Sequence, residues 1–307
     1  MIVITGATGR TGRPIAEALL TANKAVRVIG RSREALSALV SLGAEAAVGD
    51  VADGAFLDRT LRGAGAAYVM IPPNPAADDL RAYHARLSEA MTGAISRAAV
   101  AHVVSLGCLG AHLPRGTGPI VGLYDHEQRL NRLETTHVVH LRPGYFMENL
   151  LAQIPGIRTH GSIATAFRAD VGFPVVSVKD VAKVAALYLL ELDFTGHQVR
   201  ELRGAADVNF NSIVEAIGRV INKADLRYEQ LSYADFENAL RVNGSSADAA
   251  RATVELSRAI NEGLAMNAEG RTRESTTETR LESFAEQFAA IYSAGTNSAG
   301  EHVAAMQ

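Results

Sequence analysis

The sequence has one cysteine, Cys108, and its 30 basic residues nearly balance 33 acidic ones. A single cysteine excludes an intramolecular disulfide and a thiolate-cluster metal site. A formal net charge of −3 lacks the basic footprint of a nucleic-acid or anionic-membrane partner. No basic segment precedes the first apolar residues, and no apolar run approaches the roughly 18 residues of a membrane span. We therefore expect a cytoplasmic globular protein without nucleic-acid or membrane partners.

The sequence also lacks grouped metal ligands. Its 9 histidines are dispersed, and His112, His137, His140 and His160 do not follow the short spacings of zinc or iron ligands. We therefore expect no metal site.

The N-terminal half alternates short β-branched runs with longer amphipathic or alanine-rich segments, which is typical of βαβ units. The predicted strands are 2–5, 26–30, 44–48, 67–71, 102–106 and 137–141. The predicted helices between them are 11–23, 33–42, 54–63, 79–101 and 123–135. The pattern predicts an α/β fold with a doubly wound parallel sheet, the Rossmann architecture.

After Gly144 the alternation loosens into a smaller mixed α/β region. Strand-like pieces at 162–167, 174–178 and 198–202 are interleaved with helices at 180–192 and 210–222. We expect a nucleotide-binding domain over 1–145 and a C-terminal substrate region over 146–292, with the chain crossing between them. Residues 293–307 are mainly small and polar, and we expect them to form a flexible tail.

A glycine-rich loop directly follows the first predicted strand and opens a helix. It reads Thr5-Gly6-Ala7-Thr8-Gly9-Arg10-Thr11-Gly12. Glycines suit this place because the strand turns sharply, the backbone approaches a pyrophosphate, and the helix packs closely on the strand. The helix N-terminus then offers N–H groups and the positive end of its dipole to the phosphates. The loop predicts a dinucleotide site built from Gly6, Thr8, Gly9, Arg10, Thr11 and Gly12.

The end of the second strand indicates which dinucleotide binds. It reads Gly30-Arg31-Ser32-Arg33, where an NAD-binding protein usually carries an acid for the ribose 2′-hydroxyl. Arg31 and Ser32, with Arg33 and Arg10, can instead surround a 2′-phosphate through charge-assisted hydrogen bonds. For Arg33 the alternative is a solvated side chain at a helix start. We therefore predict NADP(H).

These motifs resemble the NmrA-like family of atypical short-chain dehydrogenases, which includes quinone and isoflavone-type reductases and NADP(H)-sensing regulators. The matching segments span most of the chain and comprise the glycine loop, Gly30-Arg31, Gly49-Asp50, residues 141–149 and residues 177–182. The resemblance implies that Ile71 and Pro72 line the dinucleotide and that Pro143 and Phe146 approach its nicotinamide end. Asp50 and Val51 follow the third strand, where Asp50 accepts a hydrogen bond from adenine or caps the next helix.

The proton donor is less well defined by the sequence. Many short-chain dehydrogenases use Tyr-x-x-x-Lys, in which the lysine lowers the tyrosine pKa and holds the ribose. The best match begins at Tyr124 and places Gln128, which carries no charge, at the lysine position. Tyr124 is the first candidate and His126 the second. At about 100° per residue His126 falls on the apolar face of its helix, so a buried, hydrogen-bonded histidine is the alternative.

Four residues beyond strand ends are candidates for substrate contacts, namely Asn74, Cys108, Tyr145 and Asn149. Asn74 has an Asx turn as its alternative, and Cys108 a role as a small buried apolar side chain. Ser105 orients the substrate or caps backbone, and Asp180 is expected to be a helix N-cap.

We expect an NADPH-dependent oxidoreductase that reduces a small, mostly apolar acceptor such as a quinone, enone or aldehyde. Its substrate would lie in the crevice at the carboxyl ends of the strands. The alternative is a non-catalytic NADP(H)-sensing regulator, which the missing lysine favours. A third alternative is an epimerase or dehydratase, but such an enzyme usually requires an intact Tyr-Lys pair, which this sequence lacks. The apolar helix faces can pack in the core of a monomer or at the subunit interface of a homodimer.

Overall fold

The computed structural model describes residues 1–264 and 270–295, in which strands and helices alternate. The strands are β1 Ile2–Ile4, β2 Val26–Gly30, β3 Glu45–Val48, β4 Ala66–Val69, β5 His102–Leu106, β6 His137–Pro143, β7 Tyr145–Phe146, β8 Ser162–Thr165, β9 Phe173–Val176, β10 His197–Leu202, β11 Asp207–Val208 and β12 Arg227–Gln230. The helices are α1 Gly12–Thr21, α2 Arg33–Ser41, α3 Gly54–Leu61, α4 Leu80–Ala98, α5 Ile120–Leu130, α6 Ile154–His160, α7 Val178–Glu191, α8 Phe210–Val220, α9 Tyr233–Val242, α10 Ala247–Asn261 and α11 Leu281–Ala294, with a 3-10 helix at Met147–Gln153.

Seven strands form one parallel sheet in the order β10-β6-β5-β4-β1-β2-β3. Strand β1 pairs with β2 on one side and with β4 on the other, so the direction of winding reverses at this point. Such a reversal leaves a crevice beyond the carboxyl ends of the strands. The predicted doubly wound sheet is confirmed, and the glycine loop lies at this crevice.

Helices cover both faces of the sheet with apolar side chains. On one face α1 and α7 pack through Ile15 and Val181. On the other face α3, α4 and α5 pack through Leu57, Met91 and Leu130. Because both faces are buried, the strands read as nearly continuous apolar runs in the sequence.

The strand at 198–202 lies elsewhere than the sequence pattern predicts. The pattern places it in the C-terminal region, but β10 pairs with β6 at the edge of the main sheet. Parallel neighbours need a long crossover, so a strand far along the chain can be the partner of β6. Local alternation shows that a strand exists, and it does not show which strand is its neighbour.

A second apolar core lies under the C-terminal region. It is formed by the 3-10 helix, α6, α8 and α11 through Leu150, Ile157, Ile213 and Phe288. Two small sheets, β11-β9-β7 and β12-β8, lie beside these helices, so the predicted mixture of strands and helices in this region is confirmed. Of the predicted tail, residues 293–294 end α11 and residues 296–307 lie outside the described residues. None of the described helices is long and apolar enough to cross a membrane.

Helix α7 holds the segment that leads into α11. Asp180, in the first turn of α7, accepts hydrogen bonds from the backbone N–H and the hydroxyl of Thr279 at 2.9 and 2.8 Å. The N-cap of α7 is Ser177, which has extended backbone and accepts from the Lys179 N–H. The predicted N-cap role of Asp180 is therefore wrong, because an N-cap lies outside the helix and Asp180 lies within it.

His126 and His140 are buried between the sheet and helices α4 and α5. His126 Nδ1 shares a hydrogen bond with the Ser88 hydroxyl, and His140 Nε2 with Asn131 Oδ1, both at 2.8 Å. Each histidine is 1% exposed. Burial lowers the pKa of each to about 3, so both rings are neutral near neutral pH.

We expect Asp180→Ala to lower the free energy of unfolding by about 1–3 kcal/mol, because Thr279 loses a charged acceptor at a partly buried site. Urea denaturation measures this loss. Lys183→Ala is the matched control, since Lys183 on the same helix bonds Glu278 of the same segment but the two side chains are 70% and 86% exposed. Such exposed pairs contribute little. If the free energy of unfolding falls equally in the two variants, the stabilising role of the Asp180–Thr279 hydrogen bonds is contradicted.

The free energy of unfolding should fall as the pH is lowered from about 6.5 toward 5, by up to about 1.4 kcal/mol per pH unit for each buried histidine. The unfolded chain takes up these protons below about pH 6.5, whereas the folded chain resists them down to about pH 3. Urea denaturation across this range measures the slope. His126→Gln should reduce it, and His160→Gln, at an exposed position, should leave it unchanged. A His126→Gln slope equal to that of the wild type would refute this account.

Candidate functional site

The glycine loop turns tightly between β1 and α1. Gly6 has a φ of +60°, a conformation that favours glycine. A Cβ atom at Gly12 would lie 2.3 Å from the carbonyl oxygen of Gly6, so the loop and helix backbones approach more closely than a side chain allows. The Gly9 N–H donates to the same carbonyl at 2.9 Å. The sharp turn and close approach expected of these glycines are both present.

The N-terminus of α1 faces the crevice behind this loop. The described residues provide neither a side-chain cap nor a first-turn acid for α1. Thr11 is buried and its hydroxyl accepts from the Tyr68 hydroxyl at 2.9 Å, which anchors the start of the helix to β4. Thr8 is exposed on the loop. A helix N-terminus of this kind suits an anion such as a phosphate group.

Arg10, at the tip of the loop, reaches the C-terminal region. Its Nη1 donates to Asn149 Oδ1 at 3.3 Å. Burial raises the pKa of nearby Glu148, and the charge of Arg10 acts in the opposite direction. The sequence predicts that Arg10 and Arg31 surround one phosphate. In the structure Arg10 extends from the glycine loop toward Asn149 of the 3-10 helix, whereas Arg31 follows β2, and their shared role stays a prediction.

Glu148 fixes the turn that carries Asn149. Its carboxylate accepts from the Ser177 hydroxyl at 3.1 Å and from the Val178 N–H at 3.0 Å. These contacts join the turn after β7 to the N-terminus of α7, where a negative charge is favourable. The position of Asn149 opposite the glycine loop is therefore set by α7.

The ends of β2 and β3 form the other side of the crevice. Ser32 is the N-cap of α2, and Asp53 is the N-cap of α3. Asp50 is therefore not the cap of α3; its Oδ1 accepts from the Ala52 N–H at 2.8 Å in a local turn. Arg31 is exposed at this end. The apolar candidates Val51 and Ile71 pack on the core beside it.

Two residues of α4, which the sequence analysis missed, extend this side of the crevice. The Tyr83 hydroxyl donates to the Pro72 carbonyl at 3.1 Å, and the Arg86 guanidinium carbon lies 5.7 Å from the centre of the Tyr83 ring. Burial raises the pKa of Tyr83 and Asp50 raises it further, while Arg31 and Arg86 lower it. The i, i+3 spacing of Tyr83 and Arg86 was the available signal, because residues so spaced are neighbours on a helix surface.

An aromatic wall follows β6. The Tyr145 ring meets Phe167 and Phe173 edge-on, with centroids 6.1 and 5.6 Å away. Pro143 is buried and Phe146 half-buried beside it. Burial raises the pKa of Tyr145 well above its usual range, so the phenol stays protonated. The side chain of Arg10 extends from the glycine loop toward this wall.

A buried ion pair lies where β5 and β6 end. Arg142 bonds both carboxylate oxygens of Glu127, with the shortest contact at 2.6 Å, and Glu127 is 1% exposed. A Cβ atom at Gly107 would lie 2.7 Å from Glu127 Oε1. Burial raises the pKa of the neighbouring Cys108 thiol to about 12, and Glu127 adds to the shift. The thiol is therefore protonated, and the Cys108 side chain is half-buried.

The three residues considered for proton transfer are separated by their surroundings. Tyr124 is half-buried on α5, three residues before Glu127, so the two share one side of the helix. His126 is bound to Ser88 in the interior, as in the buried alternative. Gln128 lines a surface groove between α4 and α5 together with Arg81 and other charged residues. Tyr124 remains the candidate proton donor.

Asn74 adopts its structural alternative, whereas the Ser105 hydroxyl has no hydrogen-bond partner in the described residues and caps no backbone group. Asn74 Oδ1 accepts from the Ala76 N–H at 3.2 Å, which is an Asx turn. Ser105 is completely buried. In residues 1–264 and 270–295 no group of three or more His, Cys, Asp or Glu side chains could hold a metal ion.

Helix α10 lies over the loops that follow β4 and β5. The Ser246 N–H donates to the Pro75 carbonyl at 2.8 Å, and Asp248 Oδ2 accepts from the Leu80 N–H at 2.9 Å. A Cβ atom at Gly118 would lie 1.9 Å from the backbone of α10. The C-terminal region therefore packs on the loops at the carboxyl ends of the strands, where the sequence predicts that it closes over the substrate.

Comparison with known proteins agrees with this geometry. The NmrA-like family matches residues 1–277. The chain is 31% identical over 242 residues to a (4-alkanoyl-5-oxo-2,5-dihydrofuran-3-yl)methyl phosphate reductase of Streptomyces griseus subsp. griseus, covering 78% of this chain and 80% of the relative. It is 27% identical over 248 residues to quinone oxidoreductase 2 of Escherichia coli, covering 80% and 82%.

A solved structure shares the whole architecture. The Citrobacter sp. triphenylmethane reductase complexed with NADP(H) superposes with a TM-score of 0.75 at 20% identity, over 94% of this chain and all (100%) of the other. This likeness shows the fold. Because the family match extends over most of the sequence, the resemblance carried by the motifs is confirmed, and this protein belongs to the NmrA-like family.

Proposed function

We propose that this protein is an NADPH-dependent oxidoreductase that reduces a small, mostly apolar acceptor such as a quinone or an enone. The observation that carries the proposal is that Arg10 joins the two sides of one crevice, a tight glycine loop on one side and the turn after β7 with the half-buried Tyr145 and Phe146 on the other. The first side fits a dinucleotide and the second fits a planar apolar molecule.

The residues of the crevice fit NADP(H). Gly6 and Gly12 let the loop turn tightly into α1, and the N-terminus of α1 offers N–H groups to a pyrophosphate. Arg31 provides a cation for the 2′-phosphate at the end of β2. When bound, NADP(H) supplies the hydride, and the protein contributes position and polarity.

The aromatic wall would hold the acceptor and exclude water. The half-buried Tyr145 offers its ring to a planar molecule, and the buried Phe167 and Phe173 pack behind it. Tyr124, on the α5 side that also carries Glu127, is our candidate to donate a proton to the acceptor oxygen. Arg10 and Asn149 lie between the two sides of the crevice and would help to orient both molecules.

The relatives support reduction of ring carbonyl compounds. One is named a reductase of an oxo-dihydrofuran phosphate, and another a quinone oxidoreductase. A further relative, from Xenophilus azovorans and 28% identical over 200 residues, is named an NAD(P)H azoreductase. Their shared chemistry is reduction of an unsaturated acceptor, which matches the apolar wall of this chain.

The wild-type chain should bind NADPH roughly tenfold or more tightly than NADH, which corresponds to one good charge-assisted contact. Arg31→Gln should remove most of this preference by weakening NADPH binding alone. Isothermal titration calorimetry measures both affinities. Lys24→Gln is the control, because Lys24 is exposed before β2, at the opposite edge of the sheet. Equal wild-type affinities for the two nucleotides would overturn the NADPH assignment.

In a panel of quinones, enones and aldehydes, we expect NADPH oxidation by the wild type. Tyr124→Phe should lower kcat about 100-fold or more, because the proton donor is lost, with little change in NADPH affinity. Tyr188→Phe, on α7 against Phe194, is the control. An unchanged Tyr124→Phe rate would remove Tyr124 from the mechanism. Tight NADPH binding without reduction of any acceptor would favour an NADP(H)-sensing regulator.

A further inference from the structure

Helix α4 carries two residues at the adenosine side of the crevice that have no role in the function proposed above. We propose that Tyr83 and Arg86 form the outer wall of the 2′-phosphate site, where Arg86 supplies a second positive charge beside Arg31. The inference rests on the proposed binding of NADP(H). It makes α4 a determinant of the preference for a 2′-phosphate.

The position of this wall is fixed by a contact with the end of β4. The Tyr83 hydroxyl donates to the Pro72 carbonyl at 3.1 Å, in the loop directly after Ile71. This bond sets the orientation of a half-buried ring. Arg86 follows one helical turn later and places its guanidinium carbon 5.7 Å from the ring centre, within the range of a cation–π contact. A flexible side chain is thereby held beside the crevice.

Arg86 differs from the neighbouring arginines of the same helix. Arg81 bonds Asp125 at 2.9 Å, and Arg97 bonds Asp58 at 2.8 Å. Among the ion pairs of the part of the chain that the structure describes, Arg86 has no carboxylate partner. Its charge therefore remains available to an anionic ligand, whereas the charges of the other two are already paired.

The charges near Tyr83 explain why Arg31 alone is insufficient to bind a 2′-phosphate. Asp50 stands at the end of β3, and its carboxylate repels a phosphate group bound nearby. Asp50 raises the pKa of Tyr83, whereas Arg31 and Arg86 lower it, and the Arg86 guanidinium carbon lies 5.7 Å from the ring centre. Arg31 offsets Asp50, and Arg86 provides the surplus positive charge that a doubly charged phosphate requires.

Adenosine 2′,5′-bisphosphate and adenosine 5′-monophosphate test the inference, since they differ only in the 2′-phosphate. Wild type should bind the bisphosphate about tenfold more tightly, and Arg86→Gln should weaken the bisphosphate about three- to tenfold, as expected for one partly exposed charge-assisted contact. Monophosphate affinity should stay within about twofold. Tyr83→Leu should act like Arg86→Gln, and Tyr83→Phe, which keeps the ring, should act much less. Arg81→Gln is the matched control on the same helix.

The outcomes separate the two claims. If the wild type prefers the bisphosphate and Arg86→Gln does not change that preference, the role of α4 is refuted while NADP(H) binding stands. If the wild type does not distinguish the two nucleotides, the NADP(H) assignment itself fails. A loss shared equally by both nucleotides overturns a phosphate contact at Arg86, and thermal unfolding of each variant identifies a loss caused by misfolding.

Discussion

The whole site depends on one contact between two pieces of backbone, at Gly6 and Gly12. The carbonyl of Gly6 lies where a side chain on Gly12 would have to be, so β1 can turn directly into α1 only when both positions are glycine. This turn directs the N-terminus of α1 into the crevice at the point where the winding of the sheet reverses. The anion site and the place of the substrate both follow from that geometry.

The first half of the chain forms the sheet and the glycine loop at the crevice, and the second half adds contacts around them. Glu148 binds the N-terminus of α7, and this contact sets Asn149 opposite Arg10. Helix α10 bonds the loop after β4 through Ser246 and Asp248. Each of these contacts joins residues far apart in the sequence. The identity of the acceptor is therefore decided by a surface that several distant segments share.

The buried polar groups near the site stiffen it. Glu127 and Arg142 form a pair with several hydrogen bonds, and removing either partner would leave an uncompensated charge. His126 and His140 remain neutral in the interior, bonded to Ser88 and Asn131. These groups hold α5 against the sheet and so set the direction of Tyr124. They also make the fold sensitive to acid.

The sequence alone determined the α/β fold, the positions of its first strands along the chain and the glycine loop, because periodicity and glycine spacing are local properties of the chain. It left α9 and α10 unpredicted, although Ser232 and Ser246 cap them. The tertiary structure decided that β10 returns to β6, that Arg10 faces Asn149, that His126 is buried, and that Tyr83 bonds the Pro72 carbonyl and lies against Arg86. Pairings between distant segments depend on the packing of the whole chain, which no local pattern contains.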